Sequence, residues 1–342
     1  MTRLVSLMAG AKVGGAEAFF ERLVVALQAN GVEQRVAIRA DKDREARLRT
    51  KGVDPVTLSF GGVFDLATPW RLKSLFDDFD AQVALAFMSR AAAKLPPKAL
   101  TRSRPAYVGR LGGYYDLKYY RRCDHLIGNT RDICDWIVKQ GWPEARVDYL
   151  PNFVDATPVA PASREGADKV ILALGRLHTN KAFDVAIAAM ENVPGAQLWI
   201  AGAGPLDGEL KTQAAKFGDR VRFLGWRADS AALIAACDVL VCPSRHEPLG
   251  NVVIEAWARG KPVVAAASQG PRALIRDGKD GLLVPIDDAI SLSQALNRVL
   301  AEPAFAADIA ASGKARHAAE FGEAQVIGAY KDFIARAAKE YA

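Results

Sequence analysis

The chain has 342 residues, half of them apolar and a quarter charged, with four cysteines and a net charge of +6. Roughly 150 residues per domain makes this two globular domains of ordinary composition, with room for two cores. The cysteines (Cys123, Cys134, Cys237, Cys242) form no CxxC pair, the run from Leu4 is too short for a signal h-region, and no stretch approaches the ~20 apolar residues of a membrane span, so disulfide-rich, secreted, membrane-spanning and disordered classes are set aside.

From the N-terminus a rhythm of apolar run, glycine-containing turn and helical pattern repeats. Leu4–Met8 is the first run. Gly14 and Gly15 follow, then a helix with Phe19, Phe20, Leu23, Val24 and Leu27 on one face, stopped at Asn30-Gly31. Further strands are predicted at 34–38, 56–60, 82–87, 106–110 and 125–128, with a helix around 69–79. A small-residue, proline-bearing stretch at 159–168 reads as a linker. The rhythm then restarts with strand runs at 169–174, 196–201, 221–224, 238–242, 262–265 and 281–285. From Ser291 the pattern is helical to the end, with Phe305, Ile309, Ile327, Tyr330, Phe333 and Ile334 as expected buried positions. Strands alternating with helices predict parallel sheets covered on both faces. The fold class is therefore α/β: two Rossmann-like domains facing each other across a cleft, residues 1–160 and 161–320, with 321–342 as a helix packing back toward the first. Ligands of open α/β sheets sit beyond the carboxyl ends of the strands, so the loops after strands hold the candidates.

Three loops stand out. Gly14-Gly15-Ala16-Glu17 lets a backbone approach a ligand at a helix start, although it is not a GxGxxG fingerprint; the plainer reading is a tight turn with Glu17 complementing the helix dipole. In Gly175-Arg176-Leu177-His178-Thr179-Asn180-Lys181, two cations five positions apart enter the next helix and make a diphosphate clamp, or else a solvated pair. In the segment from Pro243 to Glu255, Glu247 and Glu255 lie eight positions apart, with Gly250-Asn251 opening a helix between them. The amides around Leu249, Gly250, Asn251 and Val252 suit an anion, and a carboxylate accepts from a sugar or ribose diol. Against a purely capping role, Glu255 lies between Ile254 and Trp257 on an otherwise apolar helix, and buried carboxylates are seldom unpaired.

Together these segments resemble GT-B glycosyltransferases, family 4 in particular. The Glu-x7-Glu motif of that family matches Glu247 to Glu255, its GRL…K motif matches Gly175-Arg176-Leu177 with Lys181, and its GxGP matches Gly202-Ala203-Gly204-Pro205. Its DGxxGLLV matches Asp277 to Val284, and its glycine pair matches Gly14-Gly15. The resemblance covers nearly the whole chain in the right order. It implies that Arg176 and Lys181 hold the donor diphosphate, that Glu247 binds donor-sugar hydroxyls and Glu255 the ribose, and that Trp226 and Arg227 meet the base. Gly14, Gly15, Gly202, Leu249, Gly250, Asn251 and Val252 would line the donor. The implied reaction is a retaining, metal-independent transfer of a hexose or heptose from a nucleotide-diphosphate sugar, a co-substrate rather than a cofactor, to a glycan or lipid-linked acceptor, as in lipopolysaccharide-core or other envelope-glycan synthesis. The implied location is cytoplasmic, peripheral at the inner face of the membrane.

The resemblance has one departure. Many members carry a histidine on the loop after an N-terminal strand, and the matching stretch from Ala106 to Asp116 has Arg110 there; the four histidines are His125, His178, His246 and His317. Arg110, with Glu17 and Tyr114, is assigned to the acceptor side. The charge excess lies wholly within residues 1–165, and from Lys94 to Arg122 basic residues interleave with tyrosines. That pattern suits a weak anionic-membrane contact or a phosphorylated glycolipid, or else a solvated loop. No nucleic-acid-binding motif is present. The alternatives are a nucleotide-sugar epimerase of the same two-domain shape and a non-catalytic nucleotide-sugar-binding protein.

Overall fold

The computed structural model describes residues 2–12, 14–62 and 64–341. The chain forms two compact units, one of Met1–Phe153 with Glu323–Ala342 and one of Val154–Gly322.

The first unit is built on seven parallel strands: β1 (Leu4–Met8), β2 (Gln34–Arg39), β3 (Pro55–Leu58), β4 (Val83–Phe87), β5 (Ala106–Leu111), β6 (His125–Gly128) and β7 (Val147–Tyr149), in the order β3-β2-β1-β4-β5-β6-β7. The second has six: β8 (Val170–Leu174), β9 (Gln197–Ala201), β10 (Val221–Gly225), β11 (Val239–Cys242), β12 (Val263–Ala266) and β13 (Leu282–Val284), in the order β10-β9-β8-β11-β12-β13. All of its pairings are parallel too. Each order reverses once, between β1 and β4 and between β8 and β11, so each sheet is doubly wound. Strands beside the reversals read as unbroken apolar runs because helices cover both of their faces. β1 and β4 are buried throughout.

The helix Gly15–Ala29 buries Phe19, Phe20, Leu23, Val24 and Leu27 on the first sheet. The helix Glu323–Glu340 joins the same core through Val326, Ile327, Tyr330, Phe333 and Ile334. Side-chain anchors add direction: Arg110 Nε donates to the Tyr330 hydroxyl at 2.8 Å, and Arg336 donates to Asp148 at 2.6 Å. In the second unit, Ile171, Ile187, Leu198, Ile200, Val241 and Leu296 belong to one face of the core, and Leu172, Trp199, Leu240, Ile254 and Trp257 to the other.

The structure differs from the sequence reading in a few places. The tail is three helices, Ala289–Ala301, Pro303–Arg316 and Glu323–Glu340, with a wide turn over His317–Phe321; Pro303 restarts the second because its fixed φ suits a first helical turn. β3 stops at Leu58, and Phe60 takes a left-handed φ of 41°. The stretch 159–168 lies inside the second unit, where the Ala162 amide donates to Ala232 and Ala167 is buried. Among the described residues no helix is long and apolar enough to cross a membrane.

Candidate functional site

In the second unit the loops after β8, β9, β11 and β12 interlock. The carbonyl of Gly175 lies against Gly202, where a Cβ would sit 1.8 Å from it, and Gly202 has a φ of +155°. Gly204 lies on Leu177, with a Cβ position 2.3 Å from the Leu177 carbonyl oxygen. Leu177 donates its amide to Ala203 at 3.1 Å and accepts from Leu206 at 3.2 Å. Only glycine allows this face-to-face stacking of two loops, so Gly202 and Gly204 hold the Arg176 loop against the sheet.

The loop after β11 is pinned to the same place. The Arg245 guanidinium forms a fork with Asp184 at 2.6 and 2.9 Å, reaches Asp287 at 2.5 Å and donates to the Thr179 carbonyl at 3.0 Å. The His246 amide donates to Asn180 at 3.2 Å. From below, the Gly270 amide donates to the Glu247 carbonyl at 2.7 Å, and a Cβ on Gly270 would sit 2.4 Å from the Leu249 backbone. These contacts set the Glu247 side chain beside Lys181, whose ammonium donates to it. The other Glu247 oxygen accepts from the Gly250 amide at 3.3 Å. Gly250 has a φ of +86° and begins the helix Asn251–Ala258.

The pair is well shielded: the Lys181 side chain is 26 % exposed and that of Glu247 13 %. Burial works against the charge on Lys181, but the adjoining carboxylate outweighs it and holds the ammonium above its ordinary range. Arg176 is exposed and, among the described residues, makes no hydrogen bond or ion pair. The two cations read together in the sequence are therefore unequal: one is matched to an acid, the other is open. Neighbouring Cys242 is no nucleophile, because burial pushes its thiol up to about 11, with Glu247 adding to the effect.

The remaining predicted residues fall in three groups. Leu249 is buried, while Asn251, Val252 and Glu255 are half-buried on the first turns of the Asn251–Ala258 helix. Trp226 is 71 % exposed after β10, and Arg227 beside it is forked onto Asp229 at 2.7 and 2.6 Å. In the first unit Gly14 caps the Gly15–Ala29 helix, and Glu17 is buried beneath the glycine loop, accepting from the Ala11 amide at 2.7 Å. Cβ positions on Gly10 and Gly14 would fall 2.1 and 2.2 Å from its oxygens. Glu17 thus ties the loop down from inside.

Arg110 is buried as well, with its guanidinium 4.5 and 5.0 Å from the centroids of Phe19 and Phe87 and bonded to Tyr330 and Asn152. Tyr114 bonds to Asp132. Much of the basic, tyrosine-rich stretch is spent inside the unit: Lys94 donates to the Gly62 and Asp65 carbonyls, Lys98 pairs with Asp124, Arg102 donates to Asp77, and Tyr107 and Tyr120 are core residues. Of the histidines, His246 is exposed, His178 caps a turn at Asn180, His317 is buried, and His125 is held by Asp148 at 2.6 Å.

Arg245 and Gly270 were not among the sequence candidates. Arg245 adjoins His246-Glu247, but its acids lie at Asp184 and Asp287, too remote in sequence to be paired with it by spacing. Gly270 precedes Pro271 and looks like punctuation until the Glu247 carbonyl is seen against it.

Two family models match the chain: "Glycosyltransferase Family 4" over residues 13–157 and "Glycosyl transferases group 1" over residues 168–302. The chain is 33% identical to the lipopolysaccharide core biosynthesis glycosyltransferase LpsE of Rhizobium meliloti (strain 1021), over 95% of this chain and 96% of that protein. It is 32% identical to LpsD of the same strain, over 94% and 95%. Among solved structures it is similar to Anabaena Alr3699/HepE in complex with UDP, at a TM-score of 0.86 and 20% identity over 98% of this chain and 100% of that one. Relatedness along almost the full length thus accompanies two doubly wound sheets, and the chain belongs to the family 4 glycosyltransferases with the GT-B fold.

Proposed function

We propose that this glycosyltransferase moves a hexose or heptose from a nucleotide-diphosphate sugar to a glycan or glycolipid acceptor in lipopolysaccharide or other envelope-polysaccharide synthesis, with retention at the anomeric carbon. The observation that carries the reading is the Lys181–Glu247 pair beside the open Arg176, at the order reversal of the second sheet. Support for the pathway comes from the LpsE and LpsD relatives, whose names place them in lipopolysaccharide core biosynthesis. Support for the donor class comes from the UDP held by the HepE structure.

In this reading the diphosphate meets Arg176 first and then draws Lys181 from its carboxylate. Glu247, released, accepts from donor-sugar hydroxyls, while Glu255 accepts from the ribose diol and Trp226 stacks on the base. The bond from the anomeric carbon to the diphosphate oxygen breaks with its electron pair going to the diphosphate, one to the acceptor hydroxyl oxygen forms, and the hydroxyl proton passes to the departing diphosphate. Charge grows on the departing diphosphate, and the two cations, brought onto it by binding, stabilise it together with the amides at Asn251 and Val252. The protein works at the cytoplasmic face of the membrane, in peripheral contact with it. Exposed Leu66, Trp70 and Leu100 line one apolar groove of the first unit and supply a surface for that contact.

The test is incubation with labelled UDP-, GDP- and ADP-sugars, with a deacylated core oligosaccharide as acceptor and excess EDTA in a parallel arm. Transfer or slow hydrolysis of one donor, unaffected by EDTA, is expected. Sugar interconversion would support the epimerase instead, and ligand bound unchanged would support a binder. Activity lost in EDTA and restored by magnesium would sink the metal-free reading.

A further inference from the structure

The first unit has its own pocket at its own order reversal. A cavity of about 290 Å³ opens beyond the carboxyl ends of β1, β2 and β4, among Gly10, Ala11, Arg39, Ser89, Arg90 and Tyr115. Gly10 and Ala11 follow β1, Arg39 ends β2, and Ser89 and Arg90 follow β4, its neighbour across the reversal. The sequence reading drew nothing from either arginine.

Its lining charge is basic. Among the described residues no acidic side chain lines it. Arg39 and Arg90 are exposed, and among the described residues neither makes a hydrogen bond or an ion pair. Of two nearby acids, Glu21 is ion-paired to Arg44 at 3.1 Å and Arg47 at 2.8 Å, while Glu17 lies behind Gly10, accepts from the Ala11 amide and is one negative charge against the two guanidinium groups. Arg44, buried, turns to donate to the Ala11 carbonyl at 2.7 Å. One wall is therefore fixed through both polar groups of Ala11, and the two guanidinium groups are left over. Met88 enters the β4 end with a φ of 65°. A left-handed, non-glycine residue is strained, and such strain persists where the surroundings dictate the direction of the next residues, here Ser89 and Arg90. Tyr115 presents a hydroxyl that makes no hydrogen bond among the described residues.

We propose that this pocket is the anion subsite of the acceptor: Arg39 and Arg90 read a carboxylate or phosphoryl group on the accepting glycan, with the Tyr115 hydroxyl as a further donor. The inference rests on the reading of the chain as a transferase onto envelope glycans and adds the class of acceptor, an acidic sugar rather than a neutral one. Guanidinium groups fit because they present paired donors to planar carboxylates and to phosphoryl oxygens and stay charged at every working pH.

The experiment measures binding without any donor, by saturation-transfer or chemical-shift titration of methyl glucuronide, glucose 6-phosphate, methyl glucoside and inorganic phosphate. The wild-type chain should bind the glucuronide and the sugar phosphate saturably, with affinity falling as salt rises, and bind methyl glucoside and inorganic phosphate at least tenfold more weakly. Arg39→Gln and Arg90→Gln should each weaken the acidic sugars roughly tenfold, as loss of a charge-assisted bond does, and the corresponding lysine variants should recover part of it. UDP, GDP and ADP affinity, titrated in the same samples, should stay within twofold. Equal binding of acidic and neutral sugars would overturn the proposal. So would inorganic phosphate binding as tightly as the sugar phosphate, or nucleotide affinity falling in the two variants while the acidic sugars are unaffected. A failure of the transferase reading shows separately, as a wild-type chain that binds acidic sugars but no nucleotide.

Discussion

Lys181 and Arg176 stand close in sequence and should respond differently to truncation. Arg176→Ala removes an exposed side chain with no partner among the described residues, so the unfolding free energy should stay within about 0.5 kcal/mol while nucleotide-diphosphate affinity drops roughly tenfold. Lys181→Ala leaves the Glu247 carboxylate without its ion partner at a 13 % exposed site, costing about 1–3 kcal/mol of stability in addition to affinity. Pairing it with Glu247→Gln should restore part of the stability and none of the affinity. Urea unfolding and calorimetry with UDP, GDP and ADP separate the cases; an Arg176→Ala chain binding all three normally would remove that residue from the site. The proximity of these residues was legible because strand-loop-helix order and the spacing to Glu255 are local. Their pairing was not, since it depends on Arg245 reaching Asp184 and Asp287. Arg110 shows the same limit more sharply: its burial depends on Tyr330, 220 positions away, and no local pattern announces that a charged residue will be enclosed by two phenylalanines.

Among the elements, the stacked loops and the last helix give opposite glycine predictions. Gly204→Ala drives a Cβ onto the Leu177 carbonyl, where only backbone can give way, and should cost about 3 kcal/mol, the upper end for overpacking. Gly328→Ala, within the Glu323–Glu340 helix and with nothing within 4 Å, should gain about 0.5–1 kcal/mol. Thermal melts of the two variants check both signs. The same helix is fastened to the end of β7 through Asp148, whose carboxyl the His125 hydrogen bond, and then Arg336, hold below the ordinary 3.8. A depressed carboxyl contributes stability that is complete above its unfolded value and disappears as pH falls through the folded one. Hydrogen-exchange protection in the last two turns of the helix, taken relative to the intrinsic rate at each pH, should therefore be steady above about pH 4 and fall below it, and Arg336→Ala should move the onset upward. Protection unchanged down to pH 2 in both chains would show that the apolar face alone fastens the helix. The strands of both sheets were legible as apolar runs. The Lys42–Thr50 helix was not, because it buries only Arg44 and Leu48 and carries no apolar period.

For the molecule as a whole, the fold relocates the surface available to the proposed membrane contact. Basic residues between Lys94 and Arg122 are largely committed to internal partners, whereas Phe64, Leu66, Trp70 and Leu100 stand exposed. Binding to vesicles with anionic lipid should weaken with salt, given a screening length of about 10 Å at 0.1 M, and should fall further in a Leu66→Ser, Trp70→Ser chain than in a Lys98→Gln chain. Sedimentation with neutral and anionic vesicles reads this out, and binding unchanged in the Leu66→Ser, Trp70→Ser chain, or no binding at all, would leave the groove without a lipid role.

The return of the last eighteen-residue helix to the unit that begins the chain also orders events on the ribosome. The second unit is one uninterrupted segment, Val154–Gly322, and has every strand of its sheet once that segment has emerged. The first unit is made earlier yet lacks, until the Glu323–Glu340 helix follows, the Tyr330 that packs on Phe19 and accepts from Arg110. A chain stalled after Gly322 should hence present a protease-resistant second half and a first half that is cut readily, and adding the missing helix as a separate peptide should restore resistance there. The earlier-synthesised unit would then become native after the later one, which is complete without any segment from outside Val154–Gly322.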